Sequence, residues 1–230
     1  MQEARMWMGW LVATAQATTP PVVAEMHERF TTLVAARDAV VRGDLEKARS
    51  EATWLTDLGG GTHVPKAWRP YLANLNESTQ LLSGAADLPS AARGVANAAL
   101  ACAECHGASG GGPSLANQDQ VPPQAWVPGQ NMPLHKWAVD WMWIGLLTNS
   151  DEAWLRGAKE LDDQPIAPKF EGAPKGLQEL EQLVYVLAGK ALTTTDPTER
   201  AELFGNLIAT CTQCHTQTRP LPAPPPAEPK

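Results

Sequence analysis

The sequence predicts an all-α chain of two tandem four-helix units, on three observations. Apolar residues recur at helical spacing through most of the 230 residues. Alternating β-branched runs joined by hairpin turns, the mark of strands, are absent. The plan of the first half also recurs in the second. Cys102 and Cys211 stand 109 residues apart, as do Pro65-Lys66 and Pro174-Lys175, Ala92 and Ala201, and Asn97 and Asn206. The separation is 108 from His27 to His135, and 106 from Ala48, Ala52 and Leu55 to Trp154, Ala158 and Leu161. An offset that drifts by a few residues only at loops points to internal duplication.

Residues 1–17 read as an export signal: Arg5, an apolar run over 6–13, then Ala15-Gln16-Ala17 as a cleavage site, so the mature chain should begin near Thr18. The first unit covers residues 18–107. Its first helix is expected over 22–42, with Val23, His27, Phe30, Val34 and Val41 on one face and Gly43 as the stop. Asp44 caps a second helix that turns Leu45, Ala48, Ala52 and Leu55 to one side. A Gly-rich loop over 59–62 leads to Pro65 and Pro70, which bracket the start of a third helix bearing Trp68, Leu72, Leu75 and Leu82. The fourth starts near Pro89 and is built of alanine and glycine, small enough to let a flat ring lie against its backbone.

Residues 108–131 form a Gly/Pro-rich linker, and 132–216 the second unit. A helix over 133–147 is apolar almost all round, with Trp137, Trp141 and Trp143 on it, which fits burial between its own site and the other unit. A second follows over 151–161. A third opens at Pro174-Lys175 with Leu177, Leu180, Val184, Leu187 and Ala191 on one face. Thr195 or Asp196, followed by Pro197 and Glu199, starts the fourth. Residues 217–230 are a proline-rich tail. No stretch reaches the roughly 18 apolar residues that span a bilayer. The net charge of −7 argues against nucleic acid and suits the docking of basic partners.

The last helix of each unit ends in the same motif. Cys102-Ala103-Glu104-Cys105-His106 returns as Cys211-Thr212-Gln213-Cys214-His215, and the two copies use all four cysteines. C-x-x-C-H is the attachment signature of c-type haem. Two thiols on one helical turn reach the two vinyl groups, and the next His lies under the iron. Cys102, Cys105, Cys211 and Cys214 are therefore the expected covalent anchors of two haem c groups, and His106 and His215 the proximal iron ligands. A zinc site or a redox dithiol could use the same cysteine pairs, but would leave both histidines unexplained. Attachment of this kind occurs outside the cytoplasm, so a periplasmic or otherwise exported location is expected. Each motif sits in its own unit and should load independently.

A four-helix unit with C-x-x-C-H at the end of its last helix resembles the class II cytochromes c, the cytochrome c′ and c556 group, taken here as a tandem dihaem form over residues 22–216. The resemblance implies that a residue on each first helix covers the distal haem face. In that family it is Met, or a non-coordinating residue in gas-binding members. Here His27 and His135 hold matching places on the first helices and are the expected distal ligands, with Met26 and Met132, or an open iron, as the competitors. His63 reads as a surface loop residue, and Arg37 as either a haem-propionate contact or a plain surface residue. The resulting expectation is an electron carrier between other redox proteins, not an enzyme. A peroxidase-like or cytochrome c′-like protein with one open iron is the alternative. A class I reading of the first motif, through Met132-Pro133, would leave only a short segment between His106 and Met132 and almost no chain after His215.

Overall fold

Residues 20–57, 63–113, 122, 132–163 and 175–218 are described in a computed structural model, and they form eight α-helices and one 3-10 turn with no strand among them. The all-α expectation holds. The export signal, the loop over 58–62, most of the linker and most of the proline-rich tail lie outside the described residues. Among the described residues, no helix is long and apolar enough to cross a membrane.

The helices are α1 (Pro21–Val41), α2 (Leu45–Asp57), α3 (Arg69–Ser83, led in by the 3-10 turn Lys66–Trp68), α4 (Leu88–Ser109), α5 (Met132–Thr148), α6 (Asp151–Asp163), α7 (Lys175–Ala191) and α8 (Pro197–Thr218). Side-chain acceptors cap several N-termini. The Lys47 N–H donates to Asp44, Ser90 to Asp87, Ala153 to Ser150, and both Thr198 and Glu199 to Asp196. α4 runs past Gly107 to Ser109, so the predicted linker begins inside a helix. The stop is Gly110, which takes the left-handed conformation (φ 66°) that a helix C-terminus favours.

Consecutive helices pack on one another within 20–113 and again within 132–218, and α4 joins the halves by lying along α8. α4 is buried nearly all round by small residues, among them Ala91, Ala92, Val95, Ala98 and Ala99. These serve helix–helix contact. A Cβ on Gly205 of α8 would sit 3.4 Å from the Arg93 Cα and 3.5 Å from the Ala96 Cβ, while Gly94 faces Leu82 of α3. The expectation that α4 is small in order to seat a ring is corrected on these positions: other helices occupy them.

The buried face of α1 also differs from the one that hydropathy predicts. Val23 and Phe30 are exposed, and Arg29, Leu33, Ala36 and Val40 form the inward stripe at helical spacing. Two arginines and several alanines on that face hide it from an apolar-periodicity reading. α5 is buried as expected, with Trp137, Trp141, Trp143 and Ile144 all inside. It meets α6 through two glycines. A Cβ on Gly145 would collide with the Trp154 backbone, and one on Gly157 with the Ala138 carbonyl and the Met142 backbone. Gly157→Ala is therefore expected to destabilise the fold by about 1–3 kcal/mol through overpacking. Gly189→Ala, where the added methyl meets only ordinary contact at 3.5 Å from Asp162, should be near neutral. Thermal denaturation of the two variants side by side measures the difference.

Candidate functional site

The motifs lie in the last turns of α4 and α8. Their cysteines and histidine fall at i, i+3 and i+4, so each helix presents two thiols and an imidazole on one face. Continuous helix through the motif creates this display.

Both imidazoles are held from the other half of the chain. His106 Nδ1 lies 3.0 Å from the Leu147 carbonyl in the last turn of α5. His215 Nδ1 lies 2.9 Å from the Val41 carbonyl, the last residue of α1. A carbonyl only accepts, so each Nδ1 carries a proton, and in the neutral ring Nε2 then keeps the lone pair that a metal would take. Thr212, inside the second motif, donates its hydroxyl to the Val40 carbonyl at 2.6 Å. Gly112 (φ 125°) lies flat against His106, where a Cβ would come within 3.1 Å of the ring. Each proximal-motif histidine is thus tied to the half of the chain that does not carry its motif.

Beside the second motif is a cavity of about 520 Å³, within the range of small-molecule and cofactor sites. Cys211, Cys214 and His215 line it from α8, and His135 and Val139 from α5. Leu177, Leu180 and Val184 give it an apolar wall from α7, and Arg37, Arg42 and Lys136 at its edge are matched by Asp38, Asp140 and Glu181. His135 is half-buried, with its Nε2 shielded from solvent. An apolar cavity bearing two thiols, one imidazole with a free Nε2 and a second imidazole from another helix fits a covalently held haem. A zinc site would need several such donors to converge. Among the described residues, no group of three or more His, Cys, Asp or Glu side chains is placed to hold a metal ion.

The register of the halves corrects the expected pairing of His27 with His135. α1 and α5 end alike: Gly43 and Asn149 both have positive φ (78° and 51°), and Asp44 and Ser150 both cap the next helix. Val41 and Leu147 both receive an imidazole. Each pair is separated by 106, and neither helix is interrupted. His27 therefore corresponds to Pro133, Met26 to Met132, and Arg29 to His135. His27 is exposed, two residues from Arg29 and so on the other side of α1. Arg29 is buried near Glu25 and Cys102, and burial pulls its guanidinium below the usual arginine range. Met26 is half-buried and packs against the core, whereas Met132 is exposed at the rim of the cavity. The helix stops at Gly43 and Asn149 would have given this register from the sequence.

Arg37 is not a plain surface residue. It is 4% exposed, its Nη2 lies 2.8 Å from both Asp38 and Asp140, and its guanidinium stands 5.3 Å from the centre of the Trp143 ring. It thus ties α1 to α5. His63 lies on the surface, with Nδ1 2.6 Å from Glu25 of α1. No family model, curated protein or solved structure matches the chain.

Burial pushes the thiols of Cys102 and Cys211 up to about 12. Cys105 and Cys214 are also raised by burial. Burial disfavours the thiolate, so at pH 8 a thiol of this kind is ionised on the order of once in ten thousand molecules. In chain produced without haem, Cys102 and Cys211 should react with iodoacetamide at pH 8 at least tenfold more slowly than in the same chain in urea. Peptide mass mapping over a time course measures both rates.

Proposed function

We propose that the chain is an exported dihaem c-type cytochrome that carries electrons between redox proteins, built as two tandem four-helix units with one covalent haem in each. One observation carries the reading: both C-x-x-C-H motifs end a helix with the histidine Nδ1 tied to a carbonyl and Nε2 left for iron. When bound, the haem supplies one-electron chemistry. Cys102 and Cys105, and Cys211 and Cys214, would anchor it through thioethers, and His106 and His215 would hold the iron. His135 is the distal ligand offered to the second haem, from the cavity that holds the second motif. On the first, Met26 takes this role, since it shares the inward face of α1 with Arg29 and His27 does not. With a side chain offered on each side, the chain would leave no vacant position for a substrate. The apolar walls exclude water, and the net charge of −7 favours basic partners.

A second reading, a haem that binds a gas or catalyses at an open iron, is favoured at the first site by one observation. Arg29 stands where the second half has His135, and a guanidinium does not ligate iron.

Mass spectrometry of the exported protein should find two covalent haems, and a chain without any ends both readings. In the ferric EPR spectrum, His135→Ala should turn the second haem high-spin and open it to carbon monoxide after reduction. Met26→Ala should do the same to the first, and His27→Ala should change neither. Carbon monoxide binding by the wild-type protein at the first haem alone would select the second reading for that site.

A further inference from the structure

We infer that the C-terminal turns of α1 and α5 are positioning elements for the proximal histidine of the opposite half, so that each half tunes the haem carried by the other. The inference rests on the dihaem reading.

The last carbonyls of a helix have no intrahelical partner and sit at the negative end of its dipole. Val41 and Leu147 hold such carbonyls, and each meets one imidazole Nδ1–H, at 2.9 and 3.0 Å. A second-shell acceptor of this kind fixes the ring and raises the basicity of the ligating nitrogen. A more basic nitrogen stabilises the ferric state and lowers the potential. The carbonyls are aimed by the residue two positions on. Gly43 and Asn149 take positive φ and end the helices there. At Gly43 the fit is steric as well, since a Cβ would stand 2.6 Å from the Thr216 methyl, one residue beyond His215. The arrangement is reciprocal: the end of α1 serves α8 and the end of α5 serves α4. A change in the first half is therefore read out in the second.

The test uses the full haem-loaded chain, with two covalent haems verified by mass. His106→Ala and His215→Ala assign the two EPR signals. Gly43→Ala introduces the clash and a strained φ, and should displace the Val41 carbonyl. The haem on Cys211 and Cys214 should then become easier to reduce, by roughly tenfold in the reduced-to-oxidised ratio at fixed potential, which is about 59 mV for one electron. The haem on Cys102 and Cys105 should keep its potential. Adding Thr216→Ser removes the methyl that the new Cβ meets and should restore most of the wild-type value. Asn149→Val places a β-branched side chain at positive φ and should raise the potential of the first haem only. If Gly43→Ala alone fails to fold, the double variant and Asn149→Val still decide the question. The inference is overturned by a shift confined to the haem of the mutated half, by equal shifts at both, or by no shift with both haems loaded. Absence of covalent haem overturns the carrier reading and this inference with it.

Discussion

The contact between α4 and α8 is the constraint on which the rest of the molecule depends. These helices approach along alanine and glycine, with Gly205 of α8 set against the Ala92–Ala96 stretch of α4. Larger side chains there would hold the axes apart. The close approach sets the two motif-bearing helices against each other at the centre, and α1 and α5 then reach across to the helix end of the opposite half. The histidine hydrogen bonds to Val41 and Leu147 are consequences of that geometry. So is the Thr212 hydroxyl on the Val40 carbonyl.

The contacts between halves have the form of a two-fold interface, in which residue i of one part meets j of the other and j meets i. Val41 meets His215, and the corresponding Leu147 meets His106. Arg37 and Trp143, also 106 apart and so equivalent to each other, are in direct contact, as residues beside a two-fold axis are. A duplicated chain that folded back on itself gives this pattern. Buried charge reinforces the join. Arg37 at the centre is balanced by Asp38 and Asp140, which a buried guanidinium requires, since an unpaired one would cost several kcal/mol. Arg200 is managed similarly within the second half, by Asp151, the Thr194 carbonyl and the Trp154 ring.

Against this symmetry the halves differ at equivalent positions. Arg29 corresponds to His135 and Arg37 to Trp143. A guanidinium and an imidazole offer opposite chemistry to a metal, since one cannot donate a lone pair and the other can. The two sites are chemically distinct even though the scaffold around them repeats.

Much of this protein was legible from residues alone. Helix number and most boundaries followed from caps and stops such as Asp44, Asp196 and the prolines, because capping is local chemistry. The two C-x-x-C-H motifs were legible for the same reason: three donors within five residues need only one helical turn to come together. The buried face of α1 was not legible, because arginine and alanine carry no apolar signal and only neighbouring helices decide that Arg29 and Arg37 lie inside. The pairing of His27 with His135 failed because a separation in sequence does not reveal which side of a helix a residue occupies. The partners of His106 and His215 are backbone carbonyls in the opposite half. No residue type marks a carbonyl as an acceptor, so only the packing of α4 on α8 could decide that each motif is held by the other half of the chain.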